Sequence, residues 1–173
     1  TDPRFGEVSG VYGSDTGTLA MLALPDGVGA TYSSVFQTAS FVPHMCDCEL
    51  LGTAAGEGDA GYTLGAHGSR LETGPGWARL SPPAPECCGL GWPGDELVRT
   101  GDLPRCSVIA DTAKLLETPG GTPRRTFVIA GDRVTVLPPL PEDDPQYLLV
   151  RFHGAVTTTY GYLRRDALDC PFD

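Results

Sequence analysis

The sequence predicts an all-β protein of two small antiparallel domains, on three observations. Its 23 Gly and 16 Pro interrupt short apolar stretches, so regular elements must be brief and turns frequent. Strand-sized segments alternate with turn signals from Phe5 almost to the end. These segments fall into two series, separated by a proline-rich loop and the stretch from Leu97 to Pro104, which sets the expected domains at 1–100 and 101–173.

The first series runs FGEVSGVY, TLAMLALPDG, ATYSSVFQ, CDCELLGTA, AGYTLGA, SRLET and WARL, an antiparallel meander that closes as a sandwich or a barrel. Ser14-Asp15, Asp26-Gly27 and the stretch from Gly56 to Asp59 supply tight-turn chemistry. Pro82 to Pro85 (PPAP) cannot join a central ladder, because proline has no backbone donor, so a loop opens there and runs to about Gly94.

The second series is CSVIA, AKLLE, RTFVIAG, DRVTVLP, YLLVRFH and TTYGYLRR. Arg133 to Val136 alternates polar and apolar side chains as a half-buried strand requires, and Gly131-Asp132 turns the chain before it. PPLPEDDP forms an acidic hairpin tip. Short strands over this length make a small barrel. Tyr147, Phe152, Tyr160 and Tyr162 belong to its core and rim.

Composition narrows the function. Hydrophobic residues make up 40% of the chain and charged ones 20%, enough apolar matter for a packed core. The 12 Lys+Arg against 22 Asp+Glu leave a net charge of −10, which repels phosphate backbones and anionic headgroups. Nucleic acid is therefore not an expected partner, whereas a basic protein would be steered in. No apolar run reaches the length of a membrane span. The chain reads as a mature exported form without its signal.

Six cysteines, including Cys46-x-Cys48 and the vicinal pair Cys87-Cys88, fit disulfides in an oxidising compartment, periplasmic or secreted. Cys106 and Cys170 bracket the second domain, and joining them is worth roughly 4 kcal/mol in the chain-entropy model. Cys46 and Cys48 then pair with Cys87 and Cys88, with the connectivity open. The rival reading is zinc held by His44 and these four cysteines, but C-x-C and CC poorly match the C-x-x-C spacing that presents two thiolates to one ion. No metal and no cofactor are expected.

If Cys87 and Cys88 are stapled, the loop Gly89, Leu90, Gly91, Trp92, Pro93, Gly94 and Asp95 is held at its base, with one large aromatic near its centre. Such a loop can enter a partner's cleft, with Asp95 or Glu96 meeting a basic or catalytic group there. Alternatively Trp92 caps the end of the barrel and the glycines serve turns. The first alternative predicts that Trp92→Ala spares the fold and weakens binding. Asp47, Glu49, Glu57 and Asp59 form an acidic stretch, either steering a basic partner or simply solvated. His44 and His67 would need an orienting carboxylate and a nucleophile to be catalytic. The sequence has no G-x-S-x-G elbow, H-E-x-x-H or phosphate-cradling loop, so no catalytic residue is assigned and the protein is expected not to be an enzyme.

Two resemblances add to this reading. Through RRTFVIAGDRVTVL and the closing T-x-G-Y-L-R-R-x-x-L, Cys106 to Leu168 resembles a bacterial Src-homology-3-like domain, with Tyr162 where tryptophan is usual. Gly10-Val11-Tyr12, the segment Cys48 to Ala54 and the segment Cys87 to Asp95 resemble the opening strand, C-x-L-x-G-x-A strand and C-G loop of periplasmic lysozyme-inhibitor-like proteins. Together the resemblances imply an exported inhibitor or immunity protein that neutralises a peptidoglycan-cleaving enzyme, including toxins delivered between bacteria. The alternative they imply is a peptidoglycan- or peptide-binding module of the cell envelope, recognised by an aromatic groove around Tyr160 and Tyr162.

Overall fold

A computed structural model describes residues 8–38, 40–55 and 61–172. The parts of the first predicted strand before Val8, the turn Gly56 to Asp59 with Glu57, and Ala60 lie outside the described residues. The chain divides into two compact units, Thr1–Asp102 and Leu103–Asp173, two residues beyond the expected boundary. No helix among the described residues is long and apolar enough to cross a membrane.

The first unit is a closed barrel of eight strands in sequence order. These are β1 (Gly10–Gly13), β2 (Gly17–Leu24), β3 (Gly27–Gln37), β4 (Pro43–Ala54), β5 (Gly61–Leu64), β6 (Ser69–Gly74), β7 (Trp77–Ser81) and β8 (Asp95–Gly101). Each pairs antiparallel with the next, and β8 closes on β1 through Tyr12↔Arg99 and Gly13↔Val98. Of the two expected forms the barrel is the one adopted, which leaves its ladder without a free edge.

Alternation along the strands fills the barrel. On β4, Cys46, Cys48 and Leu50 are buried while Met45, Asp47, Glu49 and Leu51 are exposed. The core gathers Tyr12, Leu19, Met21, Tyr32, Leu64, Leu71, Leu80 and Leu97 from seven strands. Fully burying side chains of this size stabilises the fold by about 1.5–3 kcal/mol each.

The second unit is a separate sheet of seven strands, so the chain forms two small all-β domains as expected, with the six segments read in its sequence joined by one more. Its strands are β9 (Arg105–Val108), β10 (Thr112–Leu116), β11 (Pro123–Ile129), β12 (Arg133–Val136), β13 (Tyr147–His153), β14 (Thr158–Arg164) and β15 (Leu168–Asp169). They are ordered β11-β10-β14-β13-β12-β9-β15. The two-residue β15 follows a short 3-10 turn, Arg165–Ala167, and pairs with β9. Cys106 on β9 is bonded to Cys170, just past β15, as expected. The core holds Val108, Leu115, Val128, Val134, Val150 and Leu163. Arg151 on β13 is buried with it, and burial lowers its pKa to about 10.

Candidate functional site

The loop between β7 and β8 begins where Pro82, Pro83 and Pro85 end the ladder, with a cis peptide between the first two. It is then tied to the barrel at its base. The Glu86 carboxylate accepts hydrogen bonds from the backbone N–H groups of Ala66 and of His67, the latter at 3.0 Å. Its own backbone N–H and these two hold its pKa below the usual carboxylate value. His67 Nδ1 lies 3.3 Å from Ala84 O. The second histidine weighed for catalysis, His44, stacks on Phe36 with ring centroids 5.5 Å apart.

Two disulfides follow at once. Cys46 and Cys48 sit two positions apart on β4, so both side chains point into the barrel. They bond Cys88 and Cys87 respectively, with Cα separations of 4.5 and 5.6 Å. This settles the connectivity that the spacing left open. The sulfurs of Cys87 and Cys88 are 3.7 Å apart, and Sγ atoms of Cys46, Cys87 and Cys88 lie within 4.8 Å of one another. The four cysteines weighed for zinc are paired here as two adjacent disulfides.

Beyond the staples the loop divides sharply in exposure. Leu90 is 96% exposed and Trp92 only 5%. The Trp92 ring meets Tyr32 edge-on at 6.2 Å, and its Nε1–H donates to Tyr32 Oη at 3.4 Å. Tyr32 Oη in turn donates to Asp95 Oδ2 at 2.7 Å, and Thr16 Oγ1 to the same oxygen at 3.5 Å. Burial is the main cause that pushes the Tyr32 phenol up to about 12, and the Asp95 carboxylate adds to it. Gly17 makes room for this carboxylate, since a Cβ there would lie 2.8 Å from Asp95 Oδ2.

This geometry revises the expected contact set. Trp92 caps the barrel and belongs to its core, so Trp92→Ala must cost stability rather than spare the fold. Asp95 is 9% exposed and its carboxylate is engaged by Tyr32 and Thr16. Gly89, Leu90, Gly91, Pro93 and Glu96 remain exposed, with Glu96 paired to Arg79 at 3.1 Å. Gly89, Gly91 and Gly94 all have positive φ. At Gly94 a Cβ would also press on Leu80 O at 2.8 Å, so only glycine lets the chain leave the loop for β8 here.

The loop rests beside the turn of the β3–β4 hairpin: a Cβ at Gly91 would lie 3.3 Å from Thr38 Cγ2. That hairpin carries exposed apolar residues which the sequence reading passed over, namely Val35 and Met45 in register, and Phe41 and Val42 in the turn. The available signal was phase. With Cys46, Cys48 and Leu50 inward on β4, Met45 must face outward, as must its partner Val35. The acidic stretch lies on the same outer face: Asp47 accepts from Ser33 Oγ at 2.7 Å, and Glu49 stands opposite Thr31. Glu57 and Asp59 lie outside the described residues.

In the second unit the aromatics around which a groove was expected are half-buried. Tyr160 is half-buried under the Arg124 guanidinium, 4.6 Å from its ring centroid, and Tyr162 and Phe152 are half-buried too. An open groove of about 360 Å³ lies instead by Tyr147, lined by Ala113, Lys114, Leu116, Leu163 and Arg164. Comparison with protein-family models, curated proteins and solved structures gave no match. The functional reading therefore rests on the geometry of the loop and its surroundings.

Proposed function

We propose that this is an exported, non-enzymatic protein that binds and inhibits a peptidoglycan-cleaving enzyme, either as a lysozyme-type inhibitor or as an immunity protein against a cell-wall-degrading toxin. The observation that carries this reading is the stapled loop. Two disulfides and a buried tryptophan fix its base, yet Leu90 stands almost wholly in solvent. A loop ordered before binding loses little entropy when it enters a cleft, so its contact energy is retained as affinity.

Charge supports the same partner. The first unit holds four Lys+Arg and thirteen Asp+Glu, a net of −9, whereas the second holds eight and nine. Enzymes that act on anionic wall polymers are often basic, and an acidic barrel attracts them. Three disulfides are compatible with a periplasmic or extracellular setting. The resemblance of Gly10 to Tyr12, Cys48 to Ala54 and Cys87 to Asp95 to lysozyme-inhibitor-like proteins agrees.

The groove beside Tyr147 favours a second reading, a module that binds peptidoglycan or a peptide. One experiment separates the two: binding of the purified protein to a panel of basic glycosidases and amidases, with insoluble peptidoglycan as the control ligand. Tight binding to an enzyme is expected. Retention on peptidoglycan alone selects the second reading.

A further inference from the structure

Resting on that reading, we infer that the docking surface is a composite of Leu90 and the β3–β4 hairpin, and that its occupant is a cationic protein surface with an apolar recess. Four observations converge.

The first is exposure. Val35, Phe41, Val42, Met45 and Leu90 together leave a large apolar area in water, with Phe41 80% exposed. The second is proximity. Cys88 is bonded to Cys46 on β4 of the hairpin, and Leu90 follows Cys88 by two residues, a reach of about 7 Å along the chain. Gly91 meanwhile abuts Thr38 in the hairpin turn. The stapled loop is thereby held beside the hairpin turn, from which Phe41 and Val42 project.

The third is backbone strain. Phe41 has φ +59°, the only positive φ of a non-glycine residue among the described residues. An aromatic side chain in the left-handed region is costly, and here the ring is turned out into solvent with no core burial to offset the cost. Burial of the Phe41 ring against a partner would supply that offset. The fourth is charge. Asp47 and Glu49 continue the outer face of β4 directly from Met45, on the unit that carries nearly all the net negative charge. An apolar tip bordered by carboxylates complements an apolar recess bordered by lysines and arginines, which selects a cationic protein over an acidic one or a neutral glycan.

The test uses the intact, oxidised protein and the same panel of basic glycosidases and amidases. Leu90→Asp, Phe41→Asp and Met45→Asp alter exposed side chains, with Val156→Asp as a control at an equally exposed apolar position of the second unit. Unfolding midpoints confirm that each variant folds. For whichever enzyme the native protein binds, the three patch variants are expected to raise Kd at least about tenfold. Asp47→Asn with Glu49→Gln is expected to slow association and flatten its salt dependence, while Val156→Asp changes nothing. Unchanged affinity in the patch variants overturns this surface and leaves the inhibitor reading standing. Binding to no enzyme of the panel overturns both. Self-association of the protein that Leu90→Asp abolishes would assign the patch to a second copy and overturn the inferred occupant.

Discussion

Leu90 and Trp92 are two positions apart and have opposite fates, one in water and the other in the barrel core. Truncating the indole leaves a large cavity and removes the donor to Tyr32, so Trp92→Ala is expected to destabilise the first unit by about 3–5 kcal/mol. Denaturant unfolding checks this, and an unchanged midpoint would return Trp92 to the surface. Tyr32 gives a pH signature. Its pKa is raised from 10.0 to about 12 in the folded protein, so the fold favours the protonated phenol. The contribution is full below pH 10 and is lost as pH rises from 10.0 to about 12. Unfolding free energy should therefore fall more steeply across that window in the native protein than in Tyr32→Phe. Little of this network was legible in the sequence. Periodicity places strand residues on a face, but a loop side chain between glycines has no phase to read. Asp95 and Tyr32, 63 positions apart, carry no mutual mark.

Most strands were legible, because proline and glycine punctuate them and alternation exposes their inner face, but β8 was not: Leu97 to Gly101, expected to separate the domains, is the strand that closes the barrel. Tyr147–His153 was read to the residue, and the end of β7 follows from Pro82. Closure of the first unit was not legible, since the pairing of β8 with β1 depends on curvature accumulated over all eight strands. Six of the seven strands of the second unit correspond to segments read in the sequence, and the seventh, the two-residue β15, is too short to show alternation. Disulfides give predictions at this scale. Cys46–Cys88 spans 42 positions, worth about 4 kcal/mol by chain entropy. Once it is formed, Cys48–Cys87 closes only a small ring and adds little. Replacing one of these pairs by serine should thus cost far less than replacing both, a non-additivity that a double-mutant cycle measures directly. The isolated Cys106–Cys170 link, spanning 64 positions, should cost about 4 kcal/mol when both cysteines are replaced.

At the scale of the molecule the charge is asymmetric. Nearly all of the net −10 lies in the barrel, the unit that also presents the stapled loop, while the second unit is close to neutral. Such a field acts mainly on encounter, so association with a basic enzyme should slow markedly as ionic strength rises while dissociation changes little. The total charge was plain from composition, but its concentration on one unit follows only once the boundary is placed. The central claim is that the stapled loop of this acidic barrel blocks a cell-wall-cleaving enzyme, and titrating the activity of an enzyme bound in the panel against rising amounts of the oxidised protein tests it most directly. Activity falling to near zero at stoichiometric protein, with Leu90→Asp shifting the titration to higher concentration, is the predicted result. Undiminished activity at saturating protein, with the protein retained only on peptidoglycan, would contradict it.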